Sequence, residues 1–247
     1  MITHKNFLLD DYVDLEWAIG LQRSMLKIVG LWPQQSQDQH KEFFSKFWML
    51  FNATIIIFVL AIPALIELIK VWGDMIQITE NLQFTLPILT TTIKIFIMWY
   101  KKGDLSMLIN MIVKDWMRIK MNEERKIMLK NARITRLLVK GGILISVVAG
   151  FTKISATLFK QYFGHVRNLT NLERSLPMPV YYWYDVYSSP KYELTYLTQI
   201  IAMFGCGIAY IATDNFFGLL ILHVCGQMEN LHLRLLHRGR IEISEQF

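Results

Sequence analysis

Few side chains in this 247-residue chain are of a type and spacing that could do chemistry. Its six histidines stand at 4, 40, 165, 223, 232 and 237. His232 and His237 are five apart, not the i, i+4 spacing that turns two ligands to one helix face for a metal. No HExxH, GxSxG, Walker A or GxGxxG pattern occurs, and Gly205-Cys206-Gly207 lacks the third glycine of a dinucleotide loop. Cys206 and Cys225 fall on one expected helix, roughly 28 Å apart at helical rise, so they cannot form a disulfide. The expectation is a non-enzyme without metal or cofactor. What remains are ionisable groups inside apolar stretches: Lys94, Lys153, Asp214 and His223. Intramembrane charge reads as functional by default. Here Lys94 is expected to snorkel toward Trp99 and Tyr100. Asp214 is expected to be a boundary or helix-packing residue.

The elements around these groups follow from composition. Hydrophobic residues make up 53% of the chain and charged residues 19%, and the mean hydropathy is +0.30. This excludes a disordered chain. With 13 glycines, 6 prolines and 2 cysteines, collagen-like and disulfide-scaffold classes are excluded too. The net charge of +6 could suggest nucleic acid, but the basic residues concentrate between apolar blocks, as in a membrane protein. No nucleic-acid partner is expected.

Four apolar segments are long enough to cross a bilayer of ~30 Å. They are 47–66, 82–100, 137–159 and 194–213, and they predict an all-α membrane protein, a helical bundle with four transmembrane helices. Pro63 and Pro87 are expected to kink the first two. Gly141, Gly142, Ser146, Ala149 and Gly150 give the third a small side that allows close helix approach. The apolar run after Asp214 predicts that the fourth helix projects past the membrane over 214–238, with Phe217, Leu220, Val224 and Leu231 on an apolar face. Residues 1–42 form an arm with an amphipathic or re-entrant helix over 15–32, stopped by Pro33. Residues 43–247 form the transmembrane domain.

Residues 101–136 carry ten basic and four acidic side chains, which places this linker in the cytoplasm. Counting crossings puts the N-terminus inside and the Tyr- and Trp-rich loop before Lys191 outside. That loop holds the sequon Asn168-Leu169-Thr170, so Asn168 is an expected glycosylation site. The other sequon, at Asn52, lies within the first span and is expected to be inaccessible.

Three blocks carry a resemblance. Asp14–Pro33 (DLEWAIGLQRSMLKIVGLWP), Leu176–Gln199 with its SPKYELTYLTQ, and His223–Leu235 (HVCGQMENLHLRL) resemble hymenopteran insect odorant receptors, in order and at family-like spacing. The resemblance implies a seven-helix, ligand-gated cation channel subunit of the plasma membrane. It would assemble with the olfactory co-receptor, in a tetramer, and bind a small hydrophobic odorant amid membrane lipid. It covers the first four of seven helices, so a truncated or partial receptor is expected. The alternative is a non-signalling multi-pass membrane protein, a transporter fragment or assembly partner. In the family reading the pocket lies in the outer half of the membrane. The outer thirds of the spans supply Leu82, Thr85, Leu86 and Leu89, then Thr152 and Ala156, then Tyr196, Gln199 and Met203 as its expected wall.

Overall fold

The computed structural model describes residues 2–33, 39–118, 121–166 and 175–244. Asn168 lies outside them. The elements are α1 (Ile2–Val29), α2 (Gln39–Ile55), a π-helical turn (Ile56–Ala61), α3 (Ile62–Lys70), α4 (Met75–Tyr100), α5 (Lys102–Trp116), α6 (Asn122–Val166) and α7 (Lys191–Ser244). Among the described residues four helical stretches are long and apolar enough to cross a membrane: Glu42–Lys70, Met75–Tyr100, Asn122–Lys160 and Lys191–Gly239. The chain is an all-α membrane protein. Connectivity defines two ends: a loop end with residues 71–74 and 175–190, and a basic end with α5 and the start of α6.

Pro63 shapes the first crossing. It cannot donate a backbone hydrogen bond, and its ring displaces the carbonyl four residues back. The turn before it widens accordingly, and the Ile62 N–H reaches Ile57 O, the five-residue step of a π-helix. The carbonyl so released, Val59 O, is taken by the Tyr182 hydroxyl at 3.0 Å. On the far side of the 71–74 turn, Asp74 caps α4. Its carboxylate accepts from the N–H groups of Ile76 (3.0 Å) and Gln77 (3.2 Å).

Along the α6–α7 seam the small residues act as their composition suggested. A Cβ added at Gly207 would stand 2.6 Å from Ser146 Oγ, and one at Gly150 would stand 3.2 Å from the Phe204 ring. Glycine at these positions lets the two helices approach without displacing Ser146 or Phe204. Away from the seam α6 is bare, with 6% of its most apolar window buried.

α1 differs from its expected bounds. It starts well before Leu15 and ends at Val29 rather than at Trp32. Gly30, not Pro33, terminates it, with φ +80°. The Leu31 N–H returns to Leu26 O and the Gly30 N–H to Lys27 O, a Schellman closure. The last turn is then held by the first crossing: Trp48 Nε1 donates to Ile28 O at 2.5 Å and Ser45 Oγ to Gly30 O at 3.2 Å. Leu15, Ala18 and Ile19 pack with Ile112 and Trp116 of α5, Met128 and Ala132 of α6 and Leu219 of α7. Met25, Leu26 and Val29 join the main core between the spans. The helix thus packs against the basic end with one part and into the main core with the other. Gln22 Nε2 donates to Ala212 O at 2.5 Å within that core.

Charge pairs fasten the basic end. Arg125 Nε meets Asp14 Oδ2 at 2.6 Å, His223 Nε2 lies 3.1 Å from Asp115 Oδ2, and Arg234 pairs with the buried Glu124. Of the linker's cations Arg125 is held this way, while two of its acids, Asp115 and Glu124, take partners from α7. Lys94 does not snorkel outward: its ammonium bonds Asp214 Oδ1 at 2.5 Å and lies 4.6 Å above the Tyr210 ring. The nearest carboxylate is on α7, and a charge in an apolar span pairs where it can. α7 is a single helix through and beyond the membrane, about 80 Å long at helical rise. Cys206 and Cys225 both lie on it as free thiols. Phe217, Val224 and Leu231 are exposed along it.

Candidate ligand cavity between the second, third and fourth crossings

Three helices diverge just below the loop end. α4 carries Pro87 there within a continuous helix, and the proline removes the bond to the Gln83 carbonyl. The Pro87 carbonyl is bonded in turn by the hydroxyls of Thr90 and Thr91. α6 presents its small residues, and α7 presents Met203, Phe204 and Tyr210. Between them lies a cavity of about 850 Å³, floored by Gly142, Ser146 and Gly150 and completed by Leu60 and Met178. Its wall is mostly aliphatic and aromatic, with Gln83, Thr91, Ser146, Thr152 and Lys153 as polar points. A second hollow of about 370 Å³ lies above it, toward the loop, and shares Lys153 and Met178.

Met178 is the partition between the two hollows, and Gln199 holds it. Fully buried, Gln199 accepts the Met178 N–H on Oε1 (3.2 Å) and donates Nε2 to Met178 O (3.3 Å) and to Tyr182 Oη (3.0 Å). Tyr182 passes the link to Val59 O beside the Pro63 break. One amide and one phenol thus join α7, the loop and the first crossing. Burial pushes the Tyr182 hydroxyl up to about 12; the hydrogen bond from Gln199 works against this and neighbouring Tyr184 with it. The phenol stays a neutral donor throughout the physiological range. A raised folded-state value favours the protonated form, so this stabilisation is complete below the unfolded tyrosine value of about 10 and is lost between there and about 12.

Gln199→Leu should strip both Met178 backbone groups of their partner, costing about 2–4 kcal/mol. Tyr182→Phe, which orphans Val59 O and one N–H of Gln199 but leaves both Met178 bonds, should cost about 1–2 kcal/mol. Thermal unfolding of the purified variants orders them. A Gln199→Leu protein as stable as wild type would mean that the loop is held by something else.

The family model described as 7tm Odorant receptor matches residues 74–241, well over half of the chain. The chain belongs to the odorant receptor family. Two solved structures of the insect olfactory receptor OR5 from Machilis hrabei share its fold. Against the first the identity is 19% and the TM-score 0.60; against the same receptor in complex with eugenol they are 18% and 0.64. In each case 90% of this chain is covered and 57% of the receptor, so the chain spans a little over half the length of that relative. A search among curated proteins finds no significant match.

Within this odorant receptor chain the residues expected from sequence separate. Thr152 and Met203 line the main cavity, and Ala156 lines the upper hollow. Leu82, Thr85, Leu86, Leu89, Tyr196 and Gln199 are in neither wall. Thr85 is buried and bonds back to Asn81; Leu89 packs on the core; Leu86 points outward, exposed; Tyr196 lies against Tyr192. On α4 the depth is as expected but the face differs, with Gln83, Phe84, Pro87 and Ile88 in the wall; on α6 and α7 the cavity runs deeper, to Gly142 and Ile211, because the loop occupies the mouth. Met178 and Tyr182 fill space that an empty vestibule would have had. Sequence reading missed Phe84, Ile88, Phe204 and Tyr210. Their signal was the small-residue stripe of α6, Gly142, Ser146, Ala149 and Gly150, which leaves space opposite α4 and α7.

Proposed function

We propose that the chain is an odorant receptor subunit whose cavity between α4, α6 and α7 binds a small, mainly apolar odorant. The supporting observation is the cavity: about 850 Å³, walled by apolar side chains with a few polar points, in a member of the odorant receptor family. Ligand pockets for small molecules are of about this size and lining. The Machilis receptor, solved in complex with eugenol, supports the same class of ligand. In this reading the basic end is cytoplasmic and the loop end outward, in the plasma membrane. Ligand binding gates a cation channel formed with the olfactory co-receptor. Met203 supplies an adaptable surface, since an unbranched thioether repacks around ligands of different shape.

Met203→Trp intrudes an indole into the cavity wall and should strongly reduce odour-evoked current in cells that also express the co-receptor. Met228→Trp, at an exposed position of α7 far from the cavity, should not. Equal currents from the two variants would remove the cavity from the response, and solute flux without current would point to a transporter.

A further inference from the structure

We propose that the ligand this cavity favours is an organic acid with a hydrocarbon body, its carboxylate paired with Lys153. The inference rests on the cavity being the odorant site and adds the chemical class of the ligand. Lys153 lines both hollows, so its side chain stands at the neck between them. Its ammonium lies 4.3 Å from the centre of the Phe84 ring, a contact that holds the charge against the wall without neutralising it. Among the described residues no carboxylate pairs with it, whereas Lys94 on the neighbouring helix has Asp214. Neither lining contains an acidic residue, and the upper hollow adds Lys160 as a second cation. The Lys153 side chain is exposed, and its ammonium has the Phe84 ring beside it but, among the described residues, no carboxylate, which leaves it open to an anion brought by a ligand. A ligand carboxylate supplies it, while the carbon chain lies along Ile88, Met203 and Phe204. Neutral odorants fill the same body of the cavity but leave the ammonium with the Phe84 ring alone.

The test uses the full chain in phosphatidylcholine nanodiscs and three tritiated probes of one chain length: dodecanoate, methyl dodecanoate and dodecanol. Near neutral pH the wild type should bind the acid at least about ten-fold more tightly than the ester or alcohol. Lys153→Met should cut affinity for the acid by about that factor and affinity for the alcohol far less. Lys153→Arg should keep the preference, and Met203→Trp should weaken all three probes. Equal binding of the three by wild type overturns the proposal. So does a preference for acid that survives Lys153→Met while Met203→Trp still weakens every probe, and in that case the cavity reading stands. If Met203→Trp weakens none, the cavity reading itself fails. The anion could also be a lipid phosphate. With phosphatidylglycerol added to the discs, the ratio of acid affinities between wild type and Lys153→Met should persist; its collapse would give Lys153 to a headgroup and overturn the free-acid ligand.

Discussion

Gly30→Ala is expected to undock α1 and to cost about 3 kcal/mol or more. Two effects combine. At φ +80° any side chain is strained. The new Cβ would also stand 2.8 Å from both Met49 N and Ser45 O, backbone atoms of α2 that no rotamer change can move. Gly73 separates the two effects. Its φ is +114°, but nothing lies within 4 Å of an added Cβ. Gly73→Ala should therefore show the strain alone, about 1–2 kcal/mol. Thermal unfolding in detergent measures both. If the two variants lose equal stability, α1 does not press against α2 as described.

The Lys94–Asp214 pair carries the second large effect. Asp214→Leu would leave the Lys94 ammonium within a span without its partner. Removing one member of a fully buried pair costs about 3–5 kcal/mol. These side chains are 30% and 38% exposed, which lowers the expectation to about 2 kcal/mol. The double variant Lys94→Met/Asp214→Leu should recover most of that loss, because two apolar residues need no partner in an apolar span. A double variant as unstable as the single would show that the charges are not coupled.

The crossings were legible in sequence because each needs a mainly apolar run of bilayer length, uncharged in 47–66 and 194–213 and interrupted only by lysine in 82–100 and 137–159. The projecting fourth helix was legible for the same reason: its apolar run is too long for the bilayer and unbroken by proline or loop residues. Partner choice was not legible. Lys94 could snorkel or pair, and only the packing of α4 on α7 brings Asp214 within reach. Gly30 was overshadowed by Pro33, although a glycine at a helix end is as strong a stop as a proline beyond it. Little of the cavity wall was legible residue by residue. Thr152 and Met203 followed from depth counting. Gln199 was chosen for facing inward, and it does, but its amide is spent on the Met178 peptide. The descent of the loop into the bundle mouth has no periodic signature, so the depth of the cavity along α6 and α7 could not be counted from the span ends.

Where a small apolar ligand attaches tests the account most directly. A diazirine-bearing aromatic probe, photolysed with the membrane-reconstituted protein and mapped by peptide mass spectrometry, reads the site without requiring current. Labels should fall on the α4, α6 and α7 segments that wall the cavity, 83–91, 142–154 and 200–211. They should be competed by unlabelled odorant and lost in Met203→Trp. Labelling that is competed by odorant yet confined to α1, α5 or the projecting part of α7 would contradict the cavity as the ligand site.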